Sequence, residues 1–168
     1  AMENAWKKGT VIIASAADEN SRHHNMPGTA NHTLIVHAIQ KDRDEPAQSG
    51  TFLSFHPCSN FGGQIPLSAS GSGCASEATG NTSGIAGLLY SMGLQQKLSP
   101  ELQPGEVEQL LKMTADLIDV PESYDPTNPD YDPTKYYPSK PTFSQRFGYG
   151  RINVGNAVKM IAEKKIPA

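Results

Sequence analysis

The sequence predicts an α/β fold in which a mainly parallel sheet is flanked by helices. Two short apolar runs, at residues 10–16 and 33–39, are continuous and do not alternate with polar residues. Continuous apolar runs of this length are typical of strands that are buried on both faces of a parallel sheet. Helical patterns at residues 76–94, 104–115 and 155–165 supply the flanking helices.

The bulk composition limits the classes of protein that the chain can represent. Its 168 residues suit one domain or a large piece of one, and 37% hydrophobic with 18% charged residues suits a folded core. The net charge of -3, without a basic patch, argues against nucleic acid as a partner. No apolar run is long enough to span a bilayer, so no membrane partner is expected, and no secretion signal core is visible. Ala1 precedes Met2, which is typical of a cloning or processing remnant, so we expect the natural chain to begin upstream.

The remaining elements follow from local patterns. Residues 51–55 and 64–67 are predicted to be shorter strands, separated by a turn at 60–63. Glycine costs about 1 kcal/mol against alanine in a helix, so the many small residues of 76–94 predict a buried, tightly packed helix. Residues 121–141 are rich in Pro, Asp, Tyr and Ser and predict an irregular surface excursion.

The chain has two cysteines, Cys58 and Cys74, too few for a disulfide scaffold or a structural zinc site. They flank one short Gly/Ser-rich segment, so both a single bridge and two free thiols are open. We expect the two residues to be close in space, because they flank one short turn-strand segment. Cα atoms more than about 7 Å apart would exclude a bridge. The sequence gives no set of metal ligands. Calcium could bind the acidic excursion at 121–141, but no site can be assigned there, because the spacing of Asp125, Asp130 and Asp132 does not fit an EF-hand.

Five segments carry a resemblance to a known family, at residues 12–19, 26–39, 54–62, 67–71 and 147–154. In the same order, they resemble the C-terminal part of the catalytic domain of subtilisin-like (S8) serine peptidases. The strand ending at Asp18 and Glu19 is similar to the family's Ala-Ala-Gly-Asn-Glu strand. The segment from Met26-Pro27-Gly28 into the second strand is similar to its Tyr-Pro-Gly segment. Further matches are Ser59-Asn60-Phe61-Gly62 and, near the end, Gly148-Tyr149-Gly150-Arg151-Ile152-Asn153. The resemblance covers most of residues 1–168 and implies an incomplete domain whose N-terminal half is missing.

Three alignments of the family's nucleophile motif, Gly-Thr-Ser-Met-Ala, remain open. Placing Ser76 on the serine matches the small residues Ala78, Thr79 and Gly84 without a gap. A second alignment puts Ser83 there, and a third puts Thr79 there and implies a dead enzyme. The first predicts a long helix that begins near Ser76, next to the strand end at Asp18.

A serine nucleophile needs a histidine to take its proton and a carboxylate to orient that histidine. The family's Asp-Thr-Gly and His-Gly-Thr motifs do not occur in this chain, so we expect the chain alone to be inactive. By the resemblance, Asp18 occupies the oxyanion-hole position, where an asparagine amide is expected as a donor. The chain's five histidines fall in segments away from the base position.

The resemblance implies serine endopeptidase activity when an upstream half supplies Asp and His. The implied partners are a peptide or protein substrate and the missing N-terminal half of the domain. The resemblance implies no cofactor, and a secreted or periplasmic location would be typical of the family. Ser76 would be the nucleophile, and the Met26-Pro27 bond is expected to be cis. The residues implied to line the substrate pocket are Ala16, Ala17, Asn25, Met26, Pro27 and Gly28. The alternatives are a catalytically silent module that binds peptide or a partner protein, and a purely structural fragment.

Overall fold

A computed structural model describes residues 1–40, 54–118 and 143–167. In chain order the elements in these ranges are α1 (Met2–Lys7), β1 (Ile12–Ser15), β2 (Thr33–Gln40), β3 (Ser54–Phe55), β4 (Leu67–Ser70), α2 (Cys74–Gln95), α3 (Pro104–Met113) and α4 (Val154–Ala162). The predicted surface excursion at 121–141 and most of the loop before β3 lie outside the described residues.

The sheet is mainly parallel, which confirms the predicted fold class. Strand β2 is central, with β1 and β4 parallel to it on either side and β3 antiparallel at its carboxyl end. Side chains from Leu34 to Ile39 are all buried, as predicted for a strand covered on both faces. Within the described ranges β1 pairs with β2 alone, and no described strand pairs with its second edge.

The main core lies between the sheet and helices α2, α3 and α4. Leu34, Val36 and Ala38 of β2 share one apolar cluster with Leu89 of α2 and Ile161 of α4. Helix α2 contacts all three parallel strands, and α4 packs on α2. The position and orientation of α2 are therefore fixed by the sheet itself.

Helix α2 is 22 residues long and begins slightly earlier than predicted. One face is buried as expected, but the prediction of an enclosed helix is wrong for the opposite face. A Cβ atom added to Gly80, Gly84 or Gly87 would meet no atom within 4 Å, and Leu88 and Leu94 are 45% and 62% exposed. We call these five residues the glycine face of α2.

Two further features of the fold differ from the prediction. Strand β4 begins at Leu67 and not at residue 64, because the chain turns at Gly62, where Ile65 N–H donates to the Gly62 carbonyl at 3.1 Å. Helix α1 was not predicted from the sequence. No helix in the described part of the chain is both long and apolar enough to cross a bilayer.

The motif from Gly148 to Asn153 ties the chain end to the sheet. Gly148 and Gly150 have φ values of +63° and +126°, and a Cβ on them would lie 2.2 and 2.0 Å from the Pro66 and Asp116 carbonyl oxygens. Ser68 N–H donates to the Gly150 carbonyl, and Ile152 N–H donates to the Ser68 carbonyl. Only glycine permits this approach and this backbone conformation.

Candidate active site

The first turn of α2 carries the candidate nucleophile. Ser76 is the third residue of the helix and is exposed. Ser83 lies well inside the helix, where its hydroxyl donates to the Thr79 carbonyl at 2.8 Å, and the Thr79 hydroxyl donates to the Ala75 carbonyl at 2.7 Å. Helix α2 begins at Cys74, close to the start that the Ser76 alignment predicts, whereas the Ser83 alignment predicted a later start. Which of Ser76, Thr79 and Ser83 is the nucleophile stays a prediction.

Asp18 lies next to this turn, at the carboxyl end of β1. Its Oδ1 accepts a hydrogen bond from the backbone N–H of Ala75, the residue before Ser76, at 2.9 Å. The N-cap residue Gly73 offers no side chain to the helix, so Asp18 acts as a remote cap. A carboxylate thus lies beside the amide end of the helix, and the assignment of Asp18 to an oxyanion hole stays a prediction.

Glu77 holds the loop that leads into α2. One oxygen of its carboxylate accepts hydrogen bonds from the Ser72 N–H, the Ser72 hydroxyl and the Gly73 N–H, all at 2.8–2.9 Å. The Ser72 hydroxyl is the main cause of the lowered pKa of Glu77. No local sequence pattern assigned a role to Glu77, so its role as a loop anchor was missed.

Asn60 fixes the segment that follows Asp18. Its side-chain oxygen accepts from the Glu19 N–H at 2.8 Å and the Ser21 N–H at 3.3 Å. Its Nδ2 donates to the Glu19 carboxylate at 2.9 Å and the His23 carbonyl at 2.6 Å. The residue is buried, so this amide determines how the chain leaves β1. The match of Asn60 to a family turn was the available signal, but its contacts could not be read from it.

The two cysteines form a bridge, and their Cα atoms are 5.6 Å apart, which confirms the predicted proximity. Cys74 is the first residue of α2 and has a positive φ of 51°. The bridge therefore joins the loop after β3 to the start of the helix that carries Ser76.

The residues predicted to line the substrate pocket are brought only partly together. Ala16 is buried with Ile35 and Ala75, and a Cβ on Gly28 would lie 3.4 Å from the Ile35 side chain. Met26 is 71% exposed, and the Met26-Pro27 bond is cis, as predicted. Ala17 has a φ of 77° at the strand end, and Asn25 and Pro27 are exposed. The β1 end, the cis-proline turn and the start of α2 thus meet around Ile35, while a pocket formed by all six residues stays a prediction.

A buried serine–histidine pair was not foreseen. His37 on β2 donates from Nε2 to the Ser68 hydroxyl, which in turn donates to the Phe147 carbonyl at 2.9 Å. Burial lowers the pKa of His37 to about 3, so the ring is neutral. Both residues are fully buried, so the pair stabilises the core and does not meet substrate.

Comparison with known proteins confirms the predicted resemblance. No family model matches the chain. A thermophilic serine proteinase of Bacillus sp. (strain AK1) is 28% identical over 173 residues, which cover 94% of this chain and 33% of that protein. A lanthipeptide protease structure matches with a TM-score of 0.67 at 17% identity, over 95% of this chain and 53% of the other.

Two further solved structures show the same fold. An S218A mutant of the PatA protease domain has a TM-score of 0.67 at 19% identity, over 99% of this chain and 53% of that one. The PatG macrocyclase domain has a TM-score of 0.68 at 19% identity, over 95% of this chain and 46% of that one. The chain therefore has the fold of part of a subtilisin-like peptidase domain, and it spans about a third of the curated relative and about half of the matched structures.

Proposed function

We propose that this chain is the nucleophile-bearing part of a subtilisin-like serine endopeptidase. The observation that carries the proposal is the placement of exposed Ser76 in the first turn of α2, beside the carboxyl end of β1. In open α/β sheets, sites gather at the carboxyl ends of parallel strands. The serine proteinase relative and the protease structures support the same chemistry.

In the proposed reaction the Ser76 hydroxyl attacks the carbonyl carbon of a peptide bond and forms an acyl-enzyme, which water then hydrolyses. A histidine from the upstream half takes the serine proton and delivers it to the leaving amine. The backbone amides of the first turn of α2 face the developing oxyanion. In the described part of the chain no hydrogen bond joins Ser76 to a histidine, which agrees with a base from outside.

Two surfaces fit a missing half of the same domain. The second edge of β1, with which no described strand pairs, offers its backbone groups to a further strand. The glycine face of α2 is flat, and its open space would accept a closely packed neighbour. Both features lie on elements that the sheet already fixes, so a second half can complete the domain without refolding this one.

A catalytically silent module that binds peptide is the second candidate, and Asp18 favours it. Its carboxylate accepts the Ala75 N–H and adds negative charge where an oxyanion would form. An ionised carboxylate donates no hydrogen bond, and losing one oxyanion donor costs about 10²–10³ in rate.

The test is labelling of the full-length protein, with its upstream half, by a fluorophosphonate that reacts with activated serines. We expect Ser76→Ala to abolish labelling, while the matched helix variant Ser83→Ala retains it. The 168-residue chain alone should not hydrolyse a fluorogenic peptide. Labelling that survives Ser76→Ala contradicts the assignment, and an unlabelled full-length protein that still binds peptide supports the silent module.

A further inference from the structure

The loop after β3 brings a histidine against the disulfide. His56 Nδ1 lies 2.9 Å from Cys58 Sγ, and one ligand atom each from His56, Cys58 and Cys74 lie within 4.8 Å of one another. This is the one group of three potential metal ligands among the described residues. The sequence predicted no metal site, because two cysteines are too few for one and no local pattern shows that His56 lies beside them.

Hydrogen bonds fix the tautomer of His56. Its Nε2 lies 3.2 Å from the Ser72 carbonyl oxygen, which can only accept, so Nε2 carries the proton. Nδ1 is then the lone-pair nitrogen, and it accepts from the Cys58 N–H at 3.4 Å. An imidazole whose other nitrogen donates to a carbonyl is the usual orientation of a metal-binding histidine.

Contacts that do not involve the disulfide bond hold the backbone next to both cysteines. Cys74 is fixed as the first residue of α2, and Glu77 anchors residues 72 and 73 just before it. Ser59, next to Cys58, is buried and its hydroxyl accepts from the Ala38 N–H of β2 at 3.1 Å. Opening of the bridge therefore leaves both cysteines attached to the sheet and helix.

We propose that the reduced chain binds a single soft divalent metal ion of the zinc type through Cys58, Cys74 and His56. A dithiol reductant gives two electrons and two protons to the bridge and is itself oxidised to a disulfide. Both thiols then lose their protons when the metal binds. Two thiolates and one imidazole form a set suited to zinc, with a fourth position left for water. The oxidised chain has no thiolate to offer, so metal and disulfide exclude each other.

Such a site would replace the covalent link between the 56–58 loop and α2 by a coordinate one. Cys74 is two residues before Ser76, so the start of the candidate nucleophile's helix stays tied in both states. The proposal does not depend on peptidase activity and is tested by metal binding alone.

The experiment is a titration of the reduced 168-residue chain with Co²⁺ under anaerobic conditions, followed by displacement with Zn²⁺. Thiolate-to-cobalt charge-transfer absorption should appear at one equivalent and disappear when zinc is added. The oxidised chain should show none. His56→Gln keeps a donor for the Ser72 carbonyl but removes Nδ1, and we expect at least about a tenfold loss of affinity. His32→Gln, a histidine outside this group that stacks on Trp6 of α1, should bind as the wild type does.

Absence of charge-transfer absorption in the reduced chain overturns the proposal. The same holds if far-UV circular dichroism shows that reduction has unfolded the chain. Equal affinity of His56→Gln and wild type removes His56 from the site. Alkylation of the thiols is the second supporting measurement. Zinc should protect both thiols in the reduced wild type but not in His56→Gln at the same zinc concentration.

Discussion

Replacement of Asp18 by asparagine tests whether this residue limits an oxyanion site. Asparagine has the same shape, and its Oδ1 can keep the hydrogen bond that Ala75 N–H now donates at 2.9 Å. Its second terminal atom becomes an N–H donor in place of a carboxylate oxygen. One substitution therefore preserves the cap and exchanges a repulsive group for a stabilising one.

The expected magnitudes have opposite signs for stability and activity. Loss of the negative charge at the start of α2 removes about 0.3–1 kcal/mol of interaction with the helix dipole. Gain of one oxyanion donor is worth about 10²–10³ in rate. Asp18→Asn should thus be slightly less stable and much more reactive toward a fluorophosphonate in the full-length protein. Asp18→Ala, the matched control, removes the cap and supplies no donor, so it should lose about 1 kcal/mol of stability without that gain.

The assay is the rate of active-serine labelling in the full-length protein, together with urea unfolding of the 168-residue chain for each variant. An unchanged labelling rate in Asp18→Asn, with the fold intact, would refute the placement of Asp18 at the oxyanion. A rate increase in Asp18→Ala equal to that in Asp18→Asn would show that relief of charge alone, and not a new donor, is responsible.

Four further substitutions test the frame around the site. The folded-state pKa of His37, about 3, lies below its usual 6.5, so the unfolded state binds more protons between these values and stability falls as the pH drops below 6.5. Between pH 7 and 4.5 the free energy of unfolding of the wild type, measured by urea titration, should fall by about 2–3 kcal/mol more than that of His37→Gln. The same pH dependence in both proteins contradicts the argument. Gly150→Ala should cost about 3 kcal/mol or more in thermal unfolding because its Cβ meets the Asp116 carbonyl, whereas Gly80→Ala, in open helix, should gain about 1 kcal/mol. Asn60→Ala should cost about 2–3 kcal/mol by denaturant unfolding, and a cost below about 0.5 kcal/mol would show that its four hydrogen bonds are replaced by water.

Features that depend on periodicity were predictable from the sequence. The central strand is apolar at most positions, and α3 opens with Pro104 and Glu106, so both elements were predicted close to their observed places. The cis bond before Pro27 and the approach of Cys58 to Cys74 followed from the resemblance and from the short intervening segment.

Features that depend on contacts between distant residues were not predictable. Asn60 and Glu19 are separated by 41 positions, and His37 and Ser68 by 31, so no local pattern shows that they bond. The exposed face of α2 was missed for a different reason. Small residues indicate close packing, but they do not say whether the packing partner belongs to the same chain.

The glycine face has a consequence for how an intact domain would assemble. If its complement were a separate molecule, the fraction assembled would rise with the concentrations of both pieces and would fall on dilution. If the complement is joined by the backbone, the effective local concentration is in the millimolar range for a short flexible connection. Flat glycine surfaces offer few deep anchoring contacts, so such a helix suits a permanent neighbour held by the chain better than a partner captured from dilute solution.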